Sequence, residues 1–367
     1  MPTLVSTQLW LVLISFPFLI CTVGAVVPSW PNMPQYSWSS AQPLNDDQIS
    51  YFAYTIQHAV FLAKQAVMYW PCDPYNDETF LRYFDPTEAE FAKNMFRAIA
   101  NVPFDLDLTD RAALEQLARD PVSYNPRFQG LSIHFLGNHP ALLPENGGPG
   151  IADGGCDDEM FDDAEKFAFM EVTSGGGVGL LSFCRKVYLD LPMLNDLLNP
   201  PDWAIDSHMD QSNGRQYKFG YGGCPDFDYR DNSWMDTTAR NMLHEFFHYP
   251  GLFADVPNYA AMIPFGYENG WGESIPHVIL DFHPDIDRED DDDGPSNAYG
   301  GWNAMRINQV EPLDDDGVRY KGIYNPDNYA WYATSVFWSR QCGQRFGPPE
   351  DEDDYDRDRR SNPRFPF

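Results

Sequence analysis

His244-Glu245-Phe246-Phe247-His248 is the stretch on which the reading of this 367-residue chain turns. Two histidines four residues apart lie on one face of a helix, so both imidazoles can reach one metal ion. The glutamate beside the first histidine is placed to hold a water and take its proton. The flanking residues support a helix. Asp236, Thr237 and Thr238 are N-cap candidates. Ala239, Met242, Leu243 and Phe246 recur at helical spacing and predict the buried face, with Arg240, His244 and His248 on a neighbouring one. Tyr249-Pro250-Gly251 is a stop signal. The same pattern also arises by chance on a core helix, so the rest of the chain has to discriminate.

Two histidines and a water leave zinc one ligand short. A metzincin would supply a third histidine three residues after Gly251, where this chain has Ala254, with Asp255 beside it. A gluzincin would supply a glutamate from a downstream helix. Glu268 and Glu273 are at usable distances, but Glu268-Asn269-Gly270-Trp271-Gly272 reads as a turn. Beyond it, Asp281 to Asp293 holds eight carboxylates, with His277 and His283 before and within the run. Most such runs are solvated loops. An EF-hand is excluded because no glutamate stands six residues after Gly294.

The N-terminus predicts export. Residues 1–25 carry no charged side chain, Leu9 to Leu19 is largely apolar, and Val23-Gly24-Ala25 suits signal cleavage. The apolar run is short for a membrane span, and no later segment is long and apolar enough for one. Cys21 leaves with the signal, and Cys72, Cys156, Cys184, Cys224 and Cys342 remain. Two disulfides and one free thiol are expected, in an oxidising compartment. The absence of C-x-x-C spacing argues against a zinc knuckle, and the mature chain has no N-glycosylation sequon. The formal charge of −31 excludes nucleic acid and anionic membranes as natural partners.

Along the chain, Val26 to Pro43 reads as irregular. Helices are expected over Asn45 to Tyr69, from Asp85 to about Ala100, and over Asp110 to Arg119. Leu131 to Leu136, Lys166 to Val172 and Gly177 to Cys184 read as strands, the last after a glycine turn. Leu189 to Leu198 reads as one short helix. The expected organisation is a signal peptide (1–25), a domain (26–345) with a helical lobe (45–120) and a metal-site lobe (130–345), and an acidic disordered tail (346–367).

From Trp234 to Cys342 the chain resembles the aspzincins, the fungal deuterolysin-like zinc peptidases. Three blocks carry the resemblance. The first is His244-Glu245-Phe246-Phe247-His248. The second is Asn297-Ala298-Tyr299-Gly300-Gly301-Trp302-Asn303-Ala304, similar to that family's acidic loop and Tyr-Gly pair. The third is Asn325-Pro326-Asp327-Asn328-Tyr329-Ala330-Trp331-Tyr332-Ala333, similar to its Asn-Ala-Asp-(Ser/Asn)-Tyr helix. The resemblance implies an α+β, mainly helical, zincin-like metallopeptidase domain with a small β-sheet. It implies Zn2+ on His244 and His248, Glu245 as general base, and Tyr299 steadying the tetrahedral intermediate. The family's third ligand stands three residues before the tyrosine of Tyr-Gly, where this chain has Ser296. Asp293 is the first substitute by chain proximity, with Asp287 and Asp281 as alternatives; the remaining possibility is no third protein ligand. Tyr329, Trp331, Phe337 and Trp338 read as packing residues of the C-terminal helix.

The expected activity is a secreted, monomeric zinc endopeptidase that cuts extended peptides; an acidic cleft rim is compatible with basic side chains, and the sequence assigns no cleavage specificity. The alternative is a secreted zinc-binding, antigen-like protein without peptidase activity. Ser296 and the acidic run suit zinc capture. Glu245 favours the enzyme, because capture needs no general base.

Overall fold

The computed structural model describes residues 30–39, 44–151, 155–157, 167–173, 177–204, 221–225, 227, 229–284, 295–313 and 317–350. The signal segment and residues 351–367 lie outside them. Asn45 caps the first helix, α1 (Asp46–Met68), by accepting from Gln48 N while the Gln48 side chain accepts from Asn45 N. That reciprocal box satisfies two helix-end donors and fixes the start. A short α2 (Glu78–Tyr83) precedes α3 (Ala89–Ala100), whose entry is a separate 3-10 turn at Pro86–Glu88. Asp110 caps α4 (Arg111–Arg119).

Four strands form one sheet. β1 (Gln35–Trp38), β2 (Leu131–Phe135) and β4 (Gly179–Phe183) are mutually parallel, and β3 (Ala168–Val172) joins β4 antiparallel. Their order across the sheet is β1-β2-β4-β3. The fold is therefore α+β with a small mixed sheet. β1 corrects the expectation of irregular chain between Val26 and Pro43. Its four residues follow Pro34 in a proline-rich lead, too short a run to declare a strand. Its partner lies 97 positions away, Ser37 opposite His134.

A second correction concerns Leu189 to Leu198. Two helices replace one, α5 (Arg185–Asp190) and α6 (Leu194–Leu198). Pro192 lies between them, and it drives the preceding Leu191 to an extended conformation (φ −116°, ψ 137°).

The HEFFH segment lies on α7 (Thr238–Phe247), every residue of which is buried. A helix buried on all sides belongs at the centre of a core. It packs against α1 and against the last helix, α10 (Pro326–Cys342). Between α7 and α10 run α8 (Tyr259–Met262), a hairpin of β5 (Gly266–Glu268) and β6 (Ser274–Pro276), and α9 (Gly301–Val310). Tyr329, Trp331, Phe337 and Trp338 are all buried, as their spacing predicted. The core is strongly aromatic. Phe247 stacks on Tyr329 at 4.2 Å between centroids, and Phe128 meets Phe246 edge-on at 4.9 Å.

Two disulfides form, Cys156–Cys184 and Cys224–Cys342, and Cys72 is free and exposed. Among the described residues no helix is long and apolar enough to cross a membrane.

The two disulfides close loops of very different size, 28 and 118 residues. Replacing both cysteines of the longer loop by alanine should cost roughly 5 kcal/mol, against roughly 3.5 for the shorter, on chain-entropy grounds. Denaturant melts of the two double variants check the order.

A buried histidine predicts acid sensitivity. His139 accepts from Ala141 N at Nδ1 and donates from Nε2 to Ser132 Oγ. Burial, with the nearby His134 ring, pushes its pKa down from 6.5 to about 4. The folded state thus prefers the neutral ring. That preference contributes fully above pH 6.5 and is lost as pH falls towards 4, a change on the order of 2 kcal/mol. His139→Gln should flatten the stability profile across that window. An acid limb of unchanged slope in the variant would show that other groups set it.

Candidate metal centre

Thr237 caps α7 by accepting from Arg240 N, and His248 is the C-cap residue. Helical spacing then stacks Arg240, His244 and His248 on one face, one turn apart. Each histidine is held through its Nδ1. His248 Nδ1 lies 2.7 Å from the Ile279 carbonyl, and a carbonyl only accepts. The proton is therefore on Nδ1 and the Nε2 lone pair is bare. His244 Nδ1 lies 2.6 Å from Asp327 Oδ1, which likewise puts a proton on that nitrogen and turns Nε2 towards His248.

The two Nε2 atoms face each other at 3.2 Å. Two ring nitrogens at that distance repel unless a metal ion or a proton lies between them. Asp281 closes the third side. Its Oδ1 is 3.3 Å from His244 Nε2, and its Oδ2 is 3.6 Å from His248 Nε2. Glu245 is buried beside them, with Oε2 lacking any hydrogen-bond partner. Candidate ligand atoms of His244, Glu245 and His248 fall within 4.8 Å of one another, close enough for one ion. The donor set of two imidazole nitrogens and a carboxylate, with an orphaned carboxylate oxygen alongside, fits a bound divalent cation.

The electrostatics agree. Burial disfavours imidazolium at His244, but Asp281 and Asp327 outweigh it and raise its pKa well above the ordinary value. Burial also acts to raise Asp281, yet the two histidines hold it below the usual carboxylate range. Burial raises Glu245, opposed by His244 and His248. This is a field that attracts positive charge. Asp281 first, and then burial, raise Tyr299, which stays a phenol and donates to Asp281 Oδ2 at 3.0 Å. Its ring lies 5.8 Å from that of His244.

Asp327 is fully buried and accepts from His244, from Arg240 at 2.5 Å and from Gly300 N at 2.7 Å. Arg240 also binds Asp236 through two hydrogen bonds, at 2.6 and 2.9 Å.

The structure brings together the predicted residues His244, Glu245, His248 and Tyr299, and places beside them Asp281, one of the alternatives to Asp293. Asp293 and Asp287 lie outside the described residues. Ser296 N donates to Asn303 Oδ1. The other candidates are engaged elsewhere. Asp255 pairs with Arg127, Glu273 binds Asn269, and Glu268 ends β5 at the turn the sequence indicated. Sequence reasoning gave no role to Asp327 or Arg240. The signals for them were the Asn-Pro-Asp-Asn-Tyr block and an arginine one turn before a ligand histidine.

A cavity of about 930 Å³ opens on these residues. Phe167 to Met170, at the start of β3, line one side, and Trp302, Trp331 and Pro349 line another.

Asp327→Asn should weaken the centre, because an amide cannot serve both His244 and Arg240 as an anion does. A fall in affinity for a divalent metal ion of about 10- to 100-fold is expected. Competition against a chromophoric chelator measures it, and unchanged affinity would mean that His244 is oriented without Asp327.

No model of a known protein family matches this chain, and no curated protein matches it, so what the centre can do follows from its own geometry.

Proposed function

We propose that this chain is a secreted zinc endopeptidase of the zincin type. His244, His248 and Asp281 would hold the metal, Glu245 would be the general base, and Tyr299 the oxyanion donor. The observation that carries this reading is the pair of facing Nε2 atoms with Asp281 and the unpartnered Glu245 Oε2 around them. Two nitrogens and a carboxylate suit zinc better than calcium or magnesium, which prefer oxygen ligands. Two disulfides support an oxidising, extracellular setting.

When bound there, zinc supplies a Lewis acid that polarises a carbonyl and makes water a better nucleophile at neutral pH. The chain's own residues do the rest. Glu245 Oε2 takes the proton of the attacking water as the new C–O bond forms. The carbonyl electron pair moves to oxygen, and Tyr299 turns its O–H from Asp281 towards that oxygen. Glu245 then gives its proton to the amine as the C–N bond breaks. Raising Glu245 by burial brings its basicity closer to what this transfer needs. β3 has β4 as its one strand neighbour among the described residues. Its start lines the cavity, which suits an extended peptide laid along a strand edge.

The test pairs metal content with turnover. Glu245→Gln should keep one zinc per chain and lose turnover of an unstructured protein substrate by at least about 1,000-fold. Tyr299→Phe should keep the metal and lose about 100-fold in kcat. His248→Ala should lose both. Stoichiometric zinc with no turnover in the native protein would instead establish a zinc-binding protein.

A further inference from the structure

We propose that the cleft beside His244 takes an uncharged, apolar substrate side chain, and that Arg240 is the residue that excludes basic ones. This rests on the peptidase reading and names its substrate class. A chain of formal charge −31 would be expected to draw lysine and arginine into its cleft. The local charges say otherwise.

Among the described residues, six carboxylates line the cavity: Asp231, Asp236, Glu245, Asp281, Asp327 and Glu350. Glu245 and Asp281 belong to the metal centre. Each of the other four already carries a guanidinium from the protein itself. Arg82 pairs with Asp231, and Arg230 with Glu350 at the rim. Arg240 grips Asp236 with two hydrogen bonds and Asp327 with a third. An arginine so held is always charged and geometrically fixed.

The wall next to Arg240 is apolar. The guanidinium lies over the Trp331 ring, 5.3 Å from its centroid. Trp331 and Pro349 are themselves buried and form a closed apolar backing there: a Cβ on Gly301 between them would stand 3.3 Å from Trp331 and 3.5 Å from Pro349. A basic side chain entering here meets a fixed positive charge one turn from His244, with Asp236 and Asp327 already paired and Glu245 and Asp281 engaged in the metal centre. It would lose its hydration without gaining a partner. A leucine or phenylalanine avoids that cost and buries its surface against the half-buried Phe167, Met170 and Trp302 that line the same cavity.

The experiment uses the zinc-loaded full chain and a peptide pool that differs only in the residue beside the scissile bond: leucine, phenylalanine or lysine. Initial rates from mass spectrometry should favour the apolar residues over lysine by about 100-fold. Arg240→Met strips Asp236 and Asp327 of their cation and should shrink that ratio at least about tenfold, while Arg240→Lys retains it. Lysyl peptides cut as fast as leucyl ones by the native chain, or an unchanged ratio in a folded Arg240→Met protein, would overturn the proposal. Binding supplies a readout free of turnover and of the Arg240 variants. On Glu245→Gln, quenching of tryptophan fluorescence should show leucyl peptides binding more tightly than lysyl ones. If that order holds while no peptide is cut, the peptidase reading fails and the cleft selectivity stands. Equal, reversed or absent binding overturns the selectivity even if turnover is found.

Discussion

Asp327 accepts three hydrogen bonds while fully buried: from His244 on α7, from Arg240 one turn before it, and from the backbone of Gly300 at the head of α9. An ionised carboxylate in the core is costly unless all its oxygens are satisfied. Here burial acts against the charge, and Arg240 and His244 outweigh it, so the group stays ionised. One anion thereby sets the tautomer of a ligand histidine, neutralises a buried guanidinium and anchors the loop that delivers Tyr299. Removing it would release three elements together. The rest of the centre depends on that arrangement more than on any single aromatic contact.

The surrounding core explains how so polar a helix can be central. Ala239, Met242, Leu243, Phe246 and Phe247 are fully buried, and each large side chain contributes about 1.5–3 kcal/mol of burial. Phe96, Phe247 and Tyr329 pack as one aromatic block behind the histidines. This apolar excess offsets the burial of Arg240, Asn241, His244 and Glu245 on the same helix. It also makes the histidine face stiff, because α7 cannot rotate without expelling Phe246 or Phe247 from close packing. Rigid support of this kind holds the two Nε2 atoms in their facing arrangement.

Much of the centre was legible in the sequence because its information is local. The i, i+4 spacing put His244 and His248 on one helical face, the apolar period named the buried side, and Pro250 with Gly251 marked the end. The start of α1 was legible for the same reason, since Asn45, Asp46 and Asp47 act within one turn. Cysteine count alone pointed to two disulfides and a free thiol. Among the described residues the carboxylate beside the histidines is Asp281, which the sequence left as one alternative to Asp293. Asp281 stands first in an acidic run whose members look alike in sequence. What singles it out is Ile279 just before it, whose carbonyl is pinned by His248 and so delivers Asp281 to the imidazoles.

By itself the sequence determined the His-Glu-Phe-Phe-His helix, its buried face and the candidate metal-binding side chains it carries, since these depend on residues within two turns of one another. Only the tertiary structure decided which distant groups complete them. Asp281 and Asp327 come from 33 and 79 residues beyond His248, and loop paths and packing, not local pattern, bring them in. The same holds for β1, whose hydrogen bonds exist only once β2 lies beside it. It holds for charge as well. Net charge is a sum over the whole chain, whereas the field in the cleft is set by which arginine lies against which carboxylate.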